Sequence, residues 1–140
     1  MTAKIRPRQS DGRVHGVVVG CQRPDGRWLC IRRSKHVIAP LKVCFPGGAM
    51  EVGEDQPTAV IREMQEELGV TIIPTQCVWR WDSPNDLTLW GWTAQCPAGT
   101  LTPDPDEVAE ILWLTSDEII THTDAMPTNK DFMRSLLGSV

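Results

Sequence analysis

The sequence has no tyrosine and only two phenylalanines, so its six tryptophans supply most of the aromatic surface. It also has no apolar run that approaches the roughly 20 residues of a membrane-spanning helix. The basic residues near its start, Lys4, Arg6 and Arg8, are not followed by the apolar segment of a secretory signal. We therefore expect a cytoplasmic protein without a membrane partner.

Paired cysteines and excess positive charge are lacking as well. The five cysteines are odd in number, far apart and without a Cys-x-x-Cys pair, which disfavours a zinc site or a disulfide framework. Small buried thiols in a reducing compartment fit this usage better. Because the formal net charge is −4, we do not expect nucleic acid as a partner. An enzyme of this charge that acts on phosphates needs a metal ion or local arginines.

The chain is long enough for one domain with its own hydrophobic core, because it has 140 residues and 41% of them are hydrophobic. We predict a single domain over residues 1–140. Its first 12 residues are polar and contain Pro7, Asp11 and Gly12, so we expect a loose N-terminal arm there.

Runs rich in β-branched and aromatic residues predict five strands, at 13–21, 28–33, 75–81, 86–96 and 110–114. The turn Pro24-Asp25-Gly26 predicts that the first two strands form a hairpin. Short helices are expected at 117–121, capped by Ser116, and from Asn129 or Asp131 to about Gly138. Strands interleaved with helices indicate an α/β domain.

The main predicted helix begins after Asp55, a plausible N-cap residue, with Pro57 in its first turn. Val60, Met64 and Leu68 recur every four residues and form a stripe that faces the core. Gly69 is placed to end the helix in the left-handed conformation.

Acidic residues crowd the same segment, because Glu54 precedes the helix and Glu63, Glu66 and Glu67 lie near its end. At about 100° per residue the last three share one face. Like charges at such spacing destabilise a helix by a few tenths of a kcal/mol per pair. A solvated acidic helix face is the ordinary explanation, and a cation held in front of the three glutamates is the functional one.

The segment Gly48–Val70 resembles the Nudix box, whose pattern is Gly, five residues, Glu, seven residues, Arg-Glu, an apolar residue, any residue, Glu-Glu, any residue, Gly and an apolar residue. Every fixed position is matched, by Gly48, Glu54, Arg62, Glu63, Met64, Glu66, Glu67, Gly69 and Val70. The resemblance extends over about residues 13–122. It departs from many relatives before Pro46-Gly47-Gly48, where Val43-Cys44-Phe45 stands instead of a segment with tryptophan.

The resemblance implies a Nudix fold, in which a mixed β-sheet is sandwiched between α-helices and the box forms a loop–helix–loop. It also implies a pyrophosphohydrolase that cleaves the diphosphate bond of a nucleoside diphosphate linked to another group X. Such enzymes use Mg²⁺ or Mn²⁺, which prefer oxygen ligands. A homodimer is compatible with the resemblance, since dimers are common among relatives.

Two sets of site residues are expected. The metal ligands are the Gly48 carbonyl, which the resemblance implies, and the carboxylates of Glu63, Glu66, Glu67 and Glu107. Arg62 is expected to orient Glu63 or Glu54 through a charge-assisted hydrogen bond. The candidates for the general base that activates water are Glu66, Glu63 and Glu107, in that order, and Glu54 is a supporting residue.

Substrate contacts are harder to assign from the sequence. Arg33, at the end of the second strand, is our candidate for binding phosphate, and Trp81 and Trp90 are candidates for stacking on a base. A surface arginine and core tryptophans are the competing interpretations. The substrate is expected to be a small nucleotide. A house-cleaning (d)NTP pyrophosphatase, a GDP-sugar hydrolase and a non-catalytic nucleotide sensor remain alternatives.

Overall fold

The computed structural model describes residues 6–95 and 99–138 of the chain. Within these residues the chain forms seven strands and three helices. In order they are β1 (Val14–Cys21), β2 (Trp28–Arg33), β3 (Val43–Cys44), β4 (Gly47–Ala49), α1 (Gln56–Leu68), β5 (Pro74–Asp82), β6 (Leu87–Ala94), β7 (Val108–Leu114), α2 (Ser116–Thr121) and α3 (Pro127–Gly138). In the part of the chain so described, no helix is long and apolar enough to cross a membrane.

The strands form two sheets. The larger is mixed and has the order β4-β1-β6-β5, with β1 parallel to β6 and the other neighbours antiparallel. The smaller sheet is antiparallel and has the order β3-β2-β7. β4 is the edge strand of the larger sheet, so one side of its backbone is left for α1.

Alternate residues of β1 divide the core between two helices. Val17 and Val19 pack in the cluster that contains the α1 side chains, whereas Val18 packs against the cluster that contains α3 residues such as Phe132. Helices therefore cover both faces of the mixed sheet. This architecture confirms the predicted α/β arrangement of a mixed sheet between helices.

The prediction that β1 and β2 pair as a hairpin is wrong, although the turn between them forms as expected. The turn itself forms, because the Arg23 N–H donates to the Arg27 carbonyl at 2.8 Å, and one isolated bridge joins Gln22 to Trp28. The strands then separate into different sheets. β1 is central in its sheet and has β4 and β6 on its two edges, so no edge remains for β2.

The ends of α1 agree with the sequence prediction. The Asp55 side chain accepts a hydrogen bond from the Thr58 N–H at 2.8 Å, and Gly69 adopts φ 65° at the other end. The apolar stripe is confirmed, since Val60 and Leu68 are fully buried. One face of α1 is thereby fixed against the core.

The later helices begin earlier than predicted. Thr115, and not Ser116, caps α2: its hydroxyl accepts from the Glu118 N–H at 3.2 Å, while the Glu118 carboxylate accepts from the Thr115 N–H at 2.9 Å. α3 begins at Pro127. Proline is well tolerated at this position, because the N–H that it lacks would have no hydrogen-bond partner within the first turn of the helix.

The segment before β1, which we predict to be a loose arm, makes hydrogen bonds in the described residues 6–12. Residues 6–12 turn back before β1, with the Gln9 N–H donating to the Arg13 carbonyl at 2.8 Å and the Gly12 N–H donating to the Gln9 carbonyl at 2.9 Å. The Arg8 side chain also donates to the Gly12 carbonyl, at 2.7 Å. Residues 1–5 lie outside the described residues.

We expect Asp55→Ala to lower the free energy of unfolding by about 1 kcal/mol, because an N-cap side chain satisfies a helix N–H that otherwise has no partner. Urea denaturation measures this change. Asp55→Asn keeps an acceptor and should stay near the wild type, and Asp117→Ala removes an exposed acid that does not cap its helix. Equal losses in all three variants would contradict the capping role.

Candidate active site

Two glycines at the edge of the mixed sheet make room for the site. A side chain on Gly47 would overlap the backbone carbonyl of Val17 on the neighbouring strand. A side chain on Gly48 would overlap the carboxylate of Glu63. The pair Gly47-Gly48 therefore lets β4 approach β1 on one side and a buried acid of α1 on the other.

The direction of the β4 carbonyls follows from its pairing with β1. Residues along an antiparallel pair alternate between facing the partner strand and facing away. The Met50 N–H faces β1, since it donates to the His15 carbonyl at 2.7 Å, and Gly48 lies two residues before it. The Gly48 carbonyl is thus turned toward β1, whereas the carbonyls of Gly47 and Ala49 face α1.

Contacts between β4 and α1 agree with this orientation. The Gly47 N–H donates to Glu67 Oε1 at 2.7 Å, and the Ala49 carbonyl accepts from Arg62 Nη2 at 3.0 Å. Glu63 and Glu67 are one helical turn apart and are 1% and 4% exposed. The outer edge of β4 therefore meets two buried carboxylates of α1.

Arg62 gathers the acids of the segment around one guanidinium group. Its Nε and Nη2 donate to the two carboxylate oxygens of Glu54, each at 2.8 Å. Its Nη1 reaches Glu63 at 3.0 Å and Glu66 at 3.2 Å. The sequence left Glu54 and Glu63 as alternative partners of Arg62, and the structure shows both contacts.

The Arg62–Glu54 pair has electrostatic consequences. Its hydrogen bonds hold the pKa of Glu54 below its ordinary value, although burial acts in the opposite direction. The same hydrogen bonds raise the pKa of Arg62, and the charge of Glu63 adds to this effect. Both groups are therefore charged at neutral pH.

The carboxylates are arranged around Arg62 in this structure. Within residues 6–95 and 99–138, no three acidic, histidine or cysteine side chains converge as the ligands of a metal ion. Glu66 is the most accessible of the three helix acids, with its side chain 40% exposed. It is therefore the carboxylate that can turn from Arg62 with the least change in the core.

The loop that carries Glu107 is tied to the end of α1. The Asp104 N–H donates to the Glu67 carbonyl at 2.8 Å, and the Glu107 N–H donates to the Asp104 carbonyl at 3.0 Å. The Glu107 carbonyl accepts from the Ser34 N–H, also at 3.0 Å. The acidic loop thus lies between the box helix and the end of β2, and a ligand role for Glu107 stays a prediction.

Arg33, the last residue of β2, is held by a backbone carbonyl and by a thiol of β3. Its Nε donates to the Ile38 carbonyl at 2.7 Å, and its Nη1 contacts Cys44 Sγ at 3.9 Å. Burial raises the pKa of Cys44 to about 11; the Arg33 charge opposes this rise and the Glu67 charge adds to it. The Cys44 thiol is therefore protonated and uncharged between a cationic and an anionic side chain.

The two tryptophans proposed for substrate stacking are in different surroundings. The Trp90 indole N–H donates to His15 Nδ1 at 3.0 Å, and the Arg80 guanidinium lies 4.8 Å from its ring centroid. Trp90 also packs on the core beside α1 and is partly buried, and its stacking on a base stays a prediction. The alternation of residues along the strand could not predict that the Arg80 guanidinium packs on the Trp90 ring. Trp81 is half-buried and lies opposite Leu89 on β6.

Some residues that shape the site had no sequence signal. Asn129 is buried, and its Oδ1 accepts from the Phe45 N–H at 2.8 Å, just before the two glycines. Glu51 adds a longer contact to Arg62, with its carboxylate 3.7 Å from Nε. Asn129 is far from the box in the sequence, and Glu51 is an exposed acid in a loop, so no motif or periodic spacing could have identified either residue.

Comparison with known proteins agrees with this geometry. The model of the NUDIX domain matches residues 12–136. The chain belongs to the Nudix hydrolase family.

Individual relatives differ in their names and lengths. NAD-capped RNA hydrolase NudC of Stutzerimonas stutzeri strain A1501 is 33% identical over 114 residues, which cover 80% of this chain and 39% of that protein. The 8-oxo-dGTP diphosphatase of Escherichia coli strain K12 is 34% identical over 83 residues, 56% of this chain and 64% of that protein. This Nudix chain therefore spans well under half of NudC.

Solved structures show the same fold. The crystal structure of the MutT protein from Methanosarcina mazei Go1 superposes with a TM-score of 0.77 at 18% identity. The match covers 96% of this chain and 98% of that one. At this identity the likeness is evidence for the Nudix fold alone.

We expect Gly48→Ala to lower the free energy of unfolding by roughly 1–3 kcal/mol, because the added methyl group must displace the buried Glu63 carboxylate. Thermal or urea denaturation measures this. Gly138→Ala is the matched control, since a methyl group there meets no atom within 4 Å. A Gly48→Ala protein as stable as the control would contradict the close approach of Glu63 to β4.

Proposed function

We propose that this chain is a divalent-metal-dependent pyrophosphohydrolase that acts on a nucleoside diphosphate linked to a group X. The observation that supports it best is the meeting of Glu63 and Glu67 with the outer edge of β4 at Gly47-Gly48. Glu66 lies on the same helix, and the charges of Arg33 and Glu67 both act on Cys44. We infer from this that acidic ligands for a metal and a cation for phosphate can serve the same substrate.

The donor set suits a hard cation such as Mg²⁺, or Mn²⁺ in its place. Mg²⁺ is bound by few carboxylates and keeps waters and substrate phosphates as its other ligands. Glu63, Glu66 and Glu67 would supply carboxylate oxygens, and Glu107 is a further candidate. The backbone ligand would be the carbonyl of Gly47 and not that of Gly48, because the register of β4 turns the Gly48 carbonyl toward β1.

The residues around the ligands have separate tasks. When bound, the metal would neutralise phosphate charge and favour the ionisation of water. Arg62 holds Glu63 in place, and Glu54 holds Arg62 through two hydrogen bonds. Arg33, oriented by the Ile38 carbonyl, binds a phosphate oxygen of the substrate.

Water attacks one phosphorus of the diphosphate, a new P–O bond forms, and the bridging P–O bond breaks. Glu66 is our first candidate for the base that accepts the proton from water, because it is the most exposed of the three acids. Glu63 is buried and already accepts a hydrogen bond from Arg62, so it is better suited to a fixed ligand role. Glu107 remains the third candidate.

The identity of X is open to several candidates. Similarity to the 8-oxo-dGTP diphosphatase favours a house-cleaning (d)NTP pyrophosphatase. Similarity to the NAD-capped RNA hydrolase NudC favours a substrate that contains NAD, although this chain spans only part of that protein. A GDP-sugar hydrolase is a further alternative. We also propose a cytoplasmic location and, as in many relatives, a homodimer. A non-catalytic sensor would not need all of the box acids that this chain keeps.

A nucleotide panel with Mg²⁺ or Mn²⁺ tests the proposal. We expect release of phosphate products from at least one nucleoside diphosphate derivative. Glu67→Gln should lower kcat at least about 100-fold, because removing one group that stabilises charge in a transition state typically has an effect of this size. The glutamine can still accept the Gly47 N–H, so the melting temperature should change little. Asp117→Asn, an exposed acid remote from the box, is the control.

Near-normal turnover by Glu67→Gln would contradict the metal assignment. A wild-type protein that releases no product from any nucleotide, with either metal, would favour the sensor alternative.

A further inference from the structure

We propose that Gln9, in the segment before β1, is a positioning residue that holds the loop 50–55 and through it the Glu54–Arg62 pair. This inference rests on the proposed function, because its effect is on the turnover of the same site. Gln9 lies outside the box, 45 positions before Glu54 in the sequence.

The Gln9 side chain binds the loop at two points. Its Nε2 donates to the Glu51 carbonyl at 3.0 Å, and its Oε1 accepts from the Gly53 N–H at 3.2 Å. Both partners are backbone groups on either side of Val52. The amide therefore spans the tip of the loop and restrains the carbonyl and the N–H together.

Apolar packing contributes little to holding the tip of the loop. Glu51, Val52 and Gly53 are all exposed, and Val52 is 71% exposed although it is apolar. Gly53 adopts φ 75°, and a side chain there would meet no atom within 4 Å. Burial of apolar surface thus does not fix the tip, and its polar contacts must do so.

These contacts lead directly to the Arg62 network. The Glu51 carbonyl that Gln9 binds also accepts from the Glu54 N–H, at 3.1 Å, and the Glu51 N–H donates to Glu54 Oε1 at 3.0 Å. Glu54 in turn accepts two hydrogen bonds from Arg62. A shift of the loop tip therefore moves the carboxylate that orients Arg62, and with it the contact to Glu63.

The backbone of Gln9 is part of a hydrogen-bonded turn. Its own N–H and carbonyl bond to Arg13 and Gly12. Asp11 accepts from the Arg13 N–H at 2.9 Å and lies 2.7 Å from His15 Nε2. Because the backbone of Gln9 is already restrained, its side chain binds the loop with less loss of conformational entropy.

The test compares Gln9→Ala with Gln22→Ala in the full chain. Gln22 is a matched control, because its Nε2 also donates to a backbone carbonyl on the surface, that of Gly26 at 3.1 Å, in a turn that does not contact the box. We expect Gln9→Ala to lower kcat on the order of tenfold, the effect of losing a net hydrogen-bond contribution of about 1.4 kcal/mol. KM should stay within about twofold, since the described contacts of the Gln9 side chain are to the backbone of Glu51 and Gly53. Gln22→Ala should match the wild type.

A double-mutant cycle shows whether Gln9 acts through Glu54. If it does, adding Gln9→Ala to Glu54→Gln should cause little further loss of kcat. Fully additive losses, or an unchanged kcat in Gln9→Ala, would overturn the proposal.

Amide hydrogen exchange at Gly53 tests the contact independently of turnover. Exchange should be faster in Gln9→Ala than in wild type and in Gln22→Ala, and an equal rate in all three would overturn the proposal. If the wild type hydrolyses no nucleotide, the proposed function fails, and the Gly53 exchange still decides whether Gln9 holds the loop.

Discussion

One guanidinium group, that of Arg62, links the elements on which the site depends. It binds Glu54 from the loop before α1, Glu63 and Glu66 from α1 itself, and the Ala49 carbonyl at the edge of β4. An arginine suits this position because its donors lie in one plane and can serve several oxygens at once. The repulsion among neighbouring carboxylates is thereby reduced before any metal or phosphate is present, and the loop, the helix and the strand are joined at one point.

The backbone of β4 is the second constraint. Gly47 and Gly48 allow this short strand to lie between β1 and a helix that buries two carboxylates, where any side chain would overlap a neighbour. α1 can then use Val60, Met64 and Leu68 for the core and its glutamates for the site. Burying carboxylates is unfavourable unless they are hydrogen-bonded, and here Glu63 accepts from Arg62 while Glu67 accepts from the Gly47 N–H.

The helix and its acids could be predicted from the sequence, because both depend on local rules. Caps, apolar periodicity and the fixed gaps of the Nudix box are properties of one continuous segment, and the fold follows from the family. Strand partners could not be predicted in the same way. The turn after β1 predicts a hairpin with β2, but it carries no information on whether β4 and β6 will pair with both edges of β1. The covering of Trp90 by Arg80, the orientation of the Gly47 carbonyl and the contacts of Gln9 depend on register and on residues distant in sequence.

We propose that Glu63, Glu67 and the outer edge of β4 form a metal site whose carboxylates Arg62 orients. A crystal structure of the chain soaked with Mn²⁺ tests this directly through the anomalous signal of the ion. We expect a peak within coordination distance of carboxylate oxygens of Glu63 and Glu67 and of the Gly47 carbonyl, and loss of that peak in Glu67→Gln. A peak elsewhere in an active protein, or coordination by the Gly48 carbonyl in place of Gly47, would contradict it.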